Sequence, residues 1–266
     1  MRQPGTGARE FGEHRQGLLA ARPDSLETRD QRGAAASAIA DALPDAGAAS
    51  GTVAGTSSRA AAGRENGGQA AALPPGQYIP RTMPVLHYGP VPCFRAETWD
   101  LRISGATESG TEARLCWDEV AAMPVTEVTA DFHCVTKFTV PAVRWTGILA
   151  TEVLRRFPPA PAVTHLMVWA DYGYSANIRI SDFAAADTLL ATHRDGDRLT
   201  PEHGYPLRLV VPSLYAWKSV KWIRALEYLT TDRRGFWEER GYHNTADPWQ
   251  EQRYSYQEQD GEGPPQ

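Results

Sequence analysis

The stretch VTADFHCVTK, residues 128–137, decides how the rest of the chain is interpreted. From Val128 to Phe132, apolar and more polar residues alternate, which predicts a half-buried strand. The alternation ends just before Cys134, and we expect a loop with Pro141 and Gly147 to follow. The sequence therefore predicts a cysteine at the end of a buried strand, where a backbone can hold a side chain rigidly.

Cys134 allows two interpretations. It lies next to His133 and three residues before Lys137, and nearby cations or a metal favour the reactive thiolate form of cysteine. In that interpretation Cys134 is a soft ligand at the rim of a pocket. Free cysteine is also among the most buried residue types and then behaves as a small hydrophobe. This stretch alone leaves both interpretations open.

Bulk properties exclude several classes of partner. The chain has 266 residues and a net charge of -5, which gives no electrostatic case for nucleic acid. No apolar run approaches the ~20 residues that span a bilayer. The three cysteines are far apart and include no C-x-x-C pair, which is typical of a reduced compartment and argues against a structural zinc site. The start MRQPGTG has no apolar signal segment, so we expect a cytoplasmic protein.

The composition divides the chain into three parts. Residues 1–72 are rich in Ala, Gly, Ser and Arg and almost lack aromatics, so we expect a disordered tail. The boundary is LPPG at 73–76, and a globular domain is predicted over 73–256. The polar end, 257–266, is expected to be frayed.

Within the domain, short strands and brief helices alternate, which predicts an α+β fold with one core. No internal repeat is present. The predicted helices cover 116–123, 147–156 and 181–186, and the predicted strands cover 98–104, 128–132, 163–169, 175–180, 189–193, 207–211 and 221–229.

Several common catalytic motifs are missing. The sequence contains no G-x-x-x-x-G-K-[ST], no G-x-G-x-x-G after a strand, no H-E-x-x-H and no G-x-S-x-G. The absence of these motifs weakens the interpretation of the protein as an NTPase, a nicotinamide-dependent enzyme, a zinc protease or an α/β-hydrolase.

Cationic residues recur near the predicted strand ends. His203, Arg208, Lys218 and Lys221 could converge on a phosphate or another polyanion, although each could equally be a solvated loop residue. Arg208 interrupts the apolar run 207–211. A charge at that position needs a buried partner or an anionic ligand.

At this point the sequence resembles a known family, the sulfite-oxidase-like, molybdopterin-dependent oxidoreductases. The resemblance covers about residues 73–254. It implies an α+β, mixed-sheet molybdopterin-binding domain of the sulfite oxidase type. The matching stretches are PVLHYGPVP (84–92), ADFHCVTKF (130–138), RWTGI (144–148), HGYPLRLVVPSLYAWKSVKWI (203–223) and GFWEERGYHNTADPWQEQRY (235–254).

The resemblance implies a Mo-molybdopterin cofactor and a role for each matching residue. Cys134 matches the cysteine whose thiolate ligates molybdenum, a soft ligand suited to a transition metal whose other sulfurs come from the pterin. The remaining matches are implied cofactor contacts: Val85, Leu86, His87 and Tyr88 in a first loop, then Asp171, His203 and Arg208, and Ser219, Val220 and Lys221 in a phosphate-binding segment.

The sequence departs from the sulfite oxidases where these bind their anionic substrate. Leu86 and Thr139 stand where sulfite oxidases carry arginines, and losing two cations argues against sulfite as the substrate. Lys137 is one candidate replacement. Tyr172, on a predicted turn, either lines the pocket or packs at the edge of the core.

Together these features predict two-electron redox at molybdenum, in the form of oxygen-atom transfer on a small-molecule substrate with an unidentified electron-transfer partner. Two alternatives stay open. The first is a sulfoxide or N-oxide reductase on the same cofactor. The second is a redox-silent binding protein that retains the fold.

Overall fold

The strand-forming runs between residues 100 and 229 pair into two five-stranded sheets. The computed structural model describes residues 72–264. The predicted disordered tail, 1–72, therefore lies outside the described residues except for its last residue. No helix within 72–264 is long and apolar enough to cross a membrane.

The first sheet is mixed. Its strand order is β2-β1-β10-β5-β6. The β1–β10 pair is parallel and the other pairs are antiparallel. The strands are β1 (Asp100–Gly105), β2 (Ala113–Cys116), β5 (His165–Ala170), β6 (Ser175–Arg179) and β10 (Ile223–Leu229).

The second sheet is antiparallel and carries the cysteine stretch. Its order is β3-β4-β7-β8, and β9 pairs with the other end of β7. The Asp195-Gly196 turn predicted from the sequence connects β7 to β8. The strands are β3 (Thr126–His133), β4 (Thr139–Leu149), β7 (Leu189–Arg194), β8 (Asp197–Arg198) and β9 (Arg208–Val210).

Within residues 72–264 three short α-helices accompany the sheets, and each is shorter than predicted. They are α1 (Trp117–Ala121), α2 (Ala150–Arg156) and α3 (Ile180–Phe183). Single turns of 3-10 helix lie at Asp171–Gly173, Pro201–His203, Glu238–Arg240 and Ser255–Gln257.

The sequence prediction was wrong between residues 139 and 149. A loop followed by a helix from Gly147 was expected, but β4 is a strand of 11 residues that runs through Gly147 to Leu149. Pairing on both sides explains the difference, because β3 binds one edge of β4 and β7 binds the other. Tertiary pairing overrides the local turn signals of proline and glycine.

The two faces of the second sheet belong to different apolar clusters. Leu190 packs in the main core, which fills the space beside the first sheet. Its neighbours Leu189 and Ala191 face the opposite way, into a second cluster that contains Cys134. Because side chains alternate along a strand, the register of β7 decides which residues reach the cysteine.

The segment after β10 packs back onto the domain. Tyr215, Trp217 and Ala246 form a third cluster with Trp237 and Tyr242 against them. The sequence predicts a frayed end from residue 257, yet Glu258 forms an ion pair with Arg234 at 2.6 Å. The chain end described by the structure therefore contributes contacts to the domain.

Candidate cofactor site

Cys134 follows the last residue of β3 and is buried, with 7% of its surface exposed. Its backbone N–H donates to the carbonyl of Phe138 at 2.8 Å, and its carbonyl accepts from Lys137 N–H at 3.0 Å. These two bonds close a tight turn, which we call the cysteine loop (residues 134–138). The sulfur position is therefore set by strand pairing on one side and by this turn on the other.

Two effects oppose each other at the sulfur. Burial raises the pKa of the Cys134 thiol, whereas the hydroxyl of Thr136, which donates to Sγ at 3.1 Å, and the positive charge of Arg253 lower it. Burial dominates, so the free thiol is favoured in the absence of a metal. A metal cation would reverse this balance because it stabilises the thiolate.

Arg208 is fully buried, with 1% of its surface exposed. Its guanidinium donates to the carbonyls of His203 at 3.1 Å and Ser219 at 3.0 Å. The group lies over the rings of Phe132 and Trp145, at 5.1 and 5.3 Å from their centroids. Those rings line the same cluster as Cys134.

Arg208 has no acidic counter-ion within the part of the chain that the structure describes; its hydrogen bonds go to carbonyls. Burial, followed by repulsion from Arg194, lowers its pKa to about 9. A buried guanidinium without a carboxylate is costly, which favours an anionic ligand at this position.

His203 shows the same lack of a counter-ion. Its Nδ1 lies 2.9 Å from the Thr200 hydroxyl, while its buried Nε2 has no hydrogen-bond partner among residues 72–264. Burial and repulsion from Arg194, Lys221 and Arg208 lower its pKa to about 4. A buried polar atom without a partner indicates a missing water or ligand.

Lys221 completes a group of basic side chains (Arg194, His203, Arg208 and Lys221), which we call the cationic group. His203 is its neutral member, because its pKa is about 4. Its Nζ donates to the carbonyls of Leu86 at 2.9 Å and Glu202 at 2.6 Å. Burial, followed by repulsion from Arg208, lowers its pKa to about 7, while Cys134 and Glu202 oppose that shift. Lys221 therefore lies within electrostatic reach of both Arg208 and the cysteine sulfur.

The predicted first loop, Val85, Leu86, His87 and Tyr88, lies at the mouth of this site. The Leu86 carbonyl accepts a hydrogen bond from Nζ of Lys221, which connects the loop to the site. The His87 ring contacts Trp222 at 5.2 Å, and the Tyr88 ring contacts Phe236 at 4.3 Å. The side chains of Val85 and Leu86 are exposed, so they present an apolar rim rather than a charged one.

Ser219 and Val220 support the site from inside. The Ser219 carbonyl accepts from Arg208, and its hydroxyl accepts from Val211 N–H at 2.9 Å. The N–H groups of Ser219 and Val220 donate to the carbonyls of Ala216 and Lys218. Both backbone donors expected to bind a phosphate are thus engaged within their own turn, which leaves the side chain of Lys221 as the cation of this segment.

Three other predicted residues have different surroundings. Asp171 forms an ion pair with Arg224 at 3.2 Å, and burial raises its pKa against that charge. Tyr172 is 52% exposed and packs against Gly89 of the first loop. Lys137 is exposed at the end of the cysteine loop. Tyr172 therefore lies beside the first loop and Lys137 within the cysteine loop, whereas Asp171 is engaged beside the first sheet.

Thr139, which replaces an expected arginine, is fully buried. Its hydroxyl lies 2.9 Å from Nδ1 of His133. The short polar side chain is therefore used inside the protein, and it adds no charge to the pocket.

Sequence reasoning missed two cations, Arg194 and Arg253. Arg194 ends β7 just before a turn, and its charge acts on His203 and Arg208. Arg253 lies in the C-terminal segment, and its Nη1 donates to the Val135 carbonyl. No local pattern marks either residue, because each reaches the site only through long-range packing.

Comparison with known proteins identifies the family to which the chain belongs. The family described as oxidoreductase molybdopterin binding domain matches residues 88–237, which is more than half of the 266-residue chain. The chain is also 37% identical over 189 residues to the uncharacterized oxidoreductase YuiH of Bacillus subtilis, covering 71% of this chain and 94% of that protein.

The chain belongs to the molybdopterin-binding oxidoreductase family. Two further relatives are the protein-methionine-sulfoxide reductase catalytic subunit MsrP of Campylobacter jejuni, 26% identical over 58% of this chain, and the mitochondrial sulfite oxidase of Drosophila melanogaster, 24% identical over 59%. The alignments span 59% and 32% of those two proteins.

Family membership confirms the α+β, sulfite-oxidase-like fold, the enzyme class and the Mo-molybdopterin cofactor predicted from the sequence. The residues present fit such a cofactor. The partnerless Nε2 of His203 and the unpaired guanidinium of Arg208 suit an anionic pterin phosphate.

The donor set also fits a metal that brings its own ligands. Within residues 72–264, no three His, Cys, Asp or Glu side chains lie together as a metal site. A protein-only site is therefore not formed in this region. One buried thiol beside a cationic group suits a molybdenum whose other sulfur ligands come from the pterin.

Proposed function

We propose that this oxidoreductase transfers an oxygen atom to or from a small substrate, with Cys134 as the protein ligand of molybdenum. The observation that carries the proposal is a buried thiol beside Arg208 and Lys221, two cations that form no ion pair with a carboxylate within residues 72–264. When bound, the cofactor supplies two-electron redox chemistry. The protein supplies the thiolate, the orientation of the cofactor and access for the substrate.

Each part of the cationic group has a separate task in this proposal. Arg208 and Lys221 bind the anionic end of the cofactor, and an anion in turn raises the lowered pKa of Lys221. His203 offers Nε2 as one further hydrogen-bonding atom. Val85, His87 and Tyr88 of the first loop would help to hold the cofactor. Together these residues would orient it beside Cys134.

The oxidative direction balances with water as the oxygen source: substrate and water give the oxygenated product, two protons and two electrons. The electrons leave to an electron-transfer partner, which stays a prediction together with the cytoplasmic location.

The substrate we propose is uncharged, and sulfite is disfavoured. The rim carries Leu86, which is 37% exposed, and Tyr172, which is 52% exposed, in place of a guanidinium. Thr139 is buried and neutral. Lys137 is the exposed cation of the cysteine loop, and we propose that Lys137 and Tyr172 contact the substrate as it enters.

The test is the molybdenum and pterin content of the purified protein, wild type beside Cys134→Ser. We expect near-stoichiometric molybdenum in the wild type. In the variant we expect pterin to be retained and the metal centre to be altered or lost, because a serine hydroxyl is a poor replacement for a soft thiolate ligand. Elemental analysis and a fluorescence assay of released pterin measure the two quantities.

Cys116→Ser is the matched control, since Cys116 is exposed and outside the site. It should keep both contents unchanged. A wild type made in a molybdenum-replete host that produces the cofactor, yet containing neither metal nor pterin, would contradict the proposal and favour a redox-silent binding protein.

A reductase of sulfoxides or N-oxides is the second candidate. Its support is the similarity to MsrP, whose name describes a methionine-sulfoxide reductase. A panel of uncharged sulfides, sulfoxides and N-oxides, assayed with artificial electron acceptors and donors, separates the two directions. The reductase would be favoured if the protein reduced sulfoxides with an artificial electron donor and did not oxidise sulfides with an acceptor.

A further inference from the structure

The C-terminal segment reaches the cysteine loop through one buried side chain, Arg253. Only 7% of its surface is exposed. Its Nη1 donates to the carbonyl of Val135, the residue directly after Cys134. Its guanidinium lies 4.9 Å from the ring centroid of Tyr215, whose side chain is fully buried.

The main chain of Arg253 is itself firmly held. Its N–H donates to Oε1 of Gln257 at 2.9 Å, and its carbonyl accepts from His243 N–H at 3.1 Å. The side chain therefore extends from a fixed backbone to the cysteine loop. A side chain fixed at its backbone and by one guanidinium nitrogen keeps its charge in one place, as a flexible surface cation does not.

The charge of Arg253 is only weakly neutralised. Its single acidic neighbour within 72–264 is Glu251, at 3.6 Å and 47% exposed. Its Nη2 has no hydrogen-bond partner in that range. A positive charge that is desolvated and incompletely paired acts over a longer distance than a surface ion pair.

A second contact holds the other side of the cysteine loop. Nε2 of Gln77 donates to the Cys134 carbonyl at 3.1 Å. Gln77 precedes the family match at 88–237 and Arg253 follows it. The loop that carries the cysteine is thus held by two residues that the family match does not include.

We propose that Arg253 is a positioning residue for the cysteine ligand. It fixes the cysteine loop through the Val135 carbonyl and places a constant positive charge behind the sulfur. The effect on the metal rests on the proposed function; the effect on the loop does not. A fixed cation near the thiolate stabilises the electron-richer state of the metal, so it sets the reduction potential.

The experiment compares Arg253→Gln and Arg253→Lys with wild type and with Arg155→Gln. Arg155 is an exposed arginine on α2 that pairs with Glu152, which makes it a matched control. Two quantities are measured on the purified full-length protein: hydrogen exchange of the amides of residues 134–138, and the midpoint potentials of molybdenum followed by the Mo(V) EPR signal.

Arg253→Gln should increase amide exchange in the cysteine loop at least tenfold and make the molybdenum potentials more negative. Arg253→Lys should keep the potentials near wild type, because the charge is retained. Exchange should still rise, less than in Arg253→Gln but above wild type, because an ammonium lacks the planar guanidinium that places Nη1 on the Val135 carbonyl. Arg155→Gln should change neither quantity.

Unchanged exchange and unchanged potentials in folded Arg253→Gln would overturn the proposal. If Arg253→Gln does not fold, Arg253→Lys decides: wild-type exchange in that variant would show that the Nη1 contact with the Val135 carbonyl does not hold the loop. If the wild type contains no molybdenum, the proposed function fails, and the exchange rates alone decide whether Arg253 holds the loop.

Discussion

At the residue scale, the site is defined by two cations, Arg208 and Lys221, that form no ion pair with a carboxylate in the described part of the chain. Arg208 is buried among carbonyls and aromatic rings, and Lys221 donates to carbonyls. The two cations repel each other, and this repulsion contributes to the lowered pKa of Lys221. Such an arrangement costs free energy, and an anion recovers it on binding.

This arrangement predicts a pH dependence of anion binding through Lys221. Its pKa of about 7 in the anion-free protein is lowered below the ordinary value, so the charged form is lost as the pH rises through 7. Between pH 6 and pH 8 the charged fraction falls roughly tenfold, and sulfate should bind up to about tenfold more weakly to cofactor-free protein. Titration calorimetry at three pH values measures this change.

Sulfate is the suitable probe because its own charge is constant over this range. Lys221→Met should bind sulfate more weakly and with little dependence on pH. An unchanged affinity between pH 6 and pH 8 in the wild type would show that Lys221 does not contact the anion.

At the scale of the element, β4 is held between β3 and β7, and Gly147 permits the close approach to β7. The register shifts between Thr146 and Gly147. A Cβ on Gly147 would lie 2.1 Å from the Leu190 carbonyl oxygen and 2.6 Å from Ala191 Cα. Only a residue without a side chain fits between two backbones at that distance.

Gly147→Ala should therefore destabilise the protein through a backbone clash. We expect a loss of about 3 kcal/mol in the free energy of unfolding, in the upper range for overpacked sites. Denaturant unfolding of cofactor-free protein at pH 7 measures this loss.

The neighbouring change Thr146→Ala is the control and should cost less than about 1 kcal/mol, the span of strand propensities. A Gly147→Ala variant as stable as the wild type would mean that β4 and β7 are farther apart than the structure shows.

At the scale of the whole molecule, a buried ion pair attaches the C-terminal segment to the rest of the domain. Nζ of Lys218 lies 2.6 Å from Oε1 of Glu238, and both side chains are almost fully buried. Lys218 also donates to the carbonyl of Asn244 at 2.8 Å. Its neighbour Ser219 accepts from Arg208, so the C-terminal segment supports the cofactor site from behind.

Glu238→Gln should be strongly destabilising, because it leaves the charge of Lys218 buried without a carboxylate. The expected loss in the free energy of unfolding is about 3–5 kcal/mol. The double variant Lys218→Met/Glu238→Gln removes both charges and should recover part of that loss. Denaturant unfolding at pH 7 compares the two. A loss below about 1 kcal/mol in the single variant would contradict the importance of the pair.

The sequence by itself determined the fold class, the enzyme class and the cofactor of this protein. The alternating run before Cys134 and the arginine inside the apolar run 207–211 made the thiol and the buried cation candidates for the site. Strand periodicity and a charged residue inside an apolar run are local properties of the sequence. They can therefore be recognised before the tertiary contacts between segments are known. The α+β class, the cofactor and the enzyme class followed from these stretches and their resemblance to a family.

Only the tertiary structure decided the surroundings of that chemistry. The strand from Thr139 to Leu149 forms because two neighbours pair with it, against the local signals of Pro141 and Gly147. Arg194 and Arg253 reach the site from distant segments. Ser219 and Val220 are occupied by internal hydrogen bonds. Each of these results depends on contacts between residues far apart in the chain, and such contacts leave no periodic pattern in the sequence.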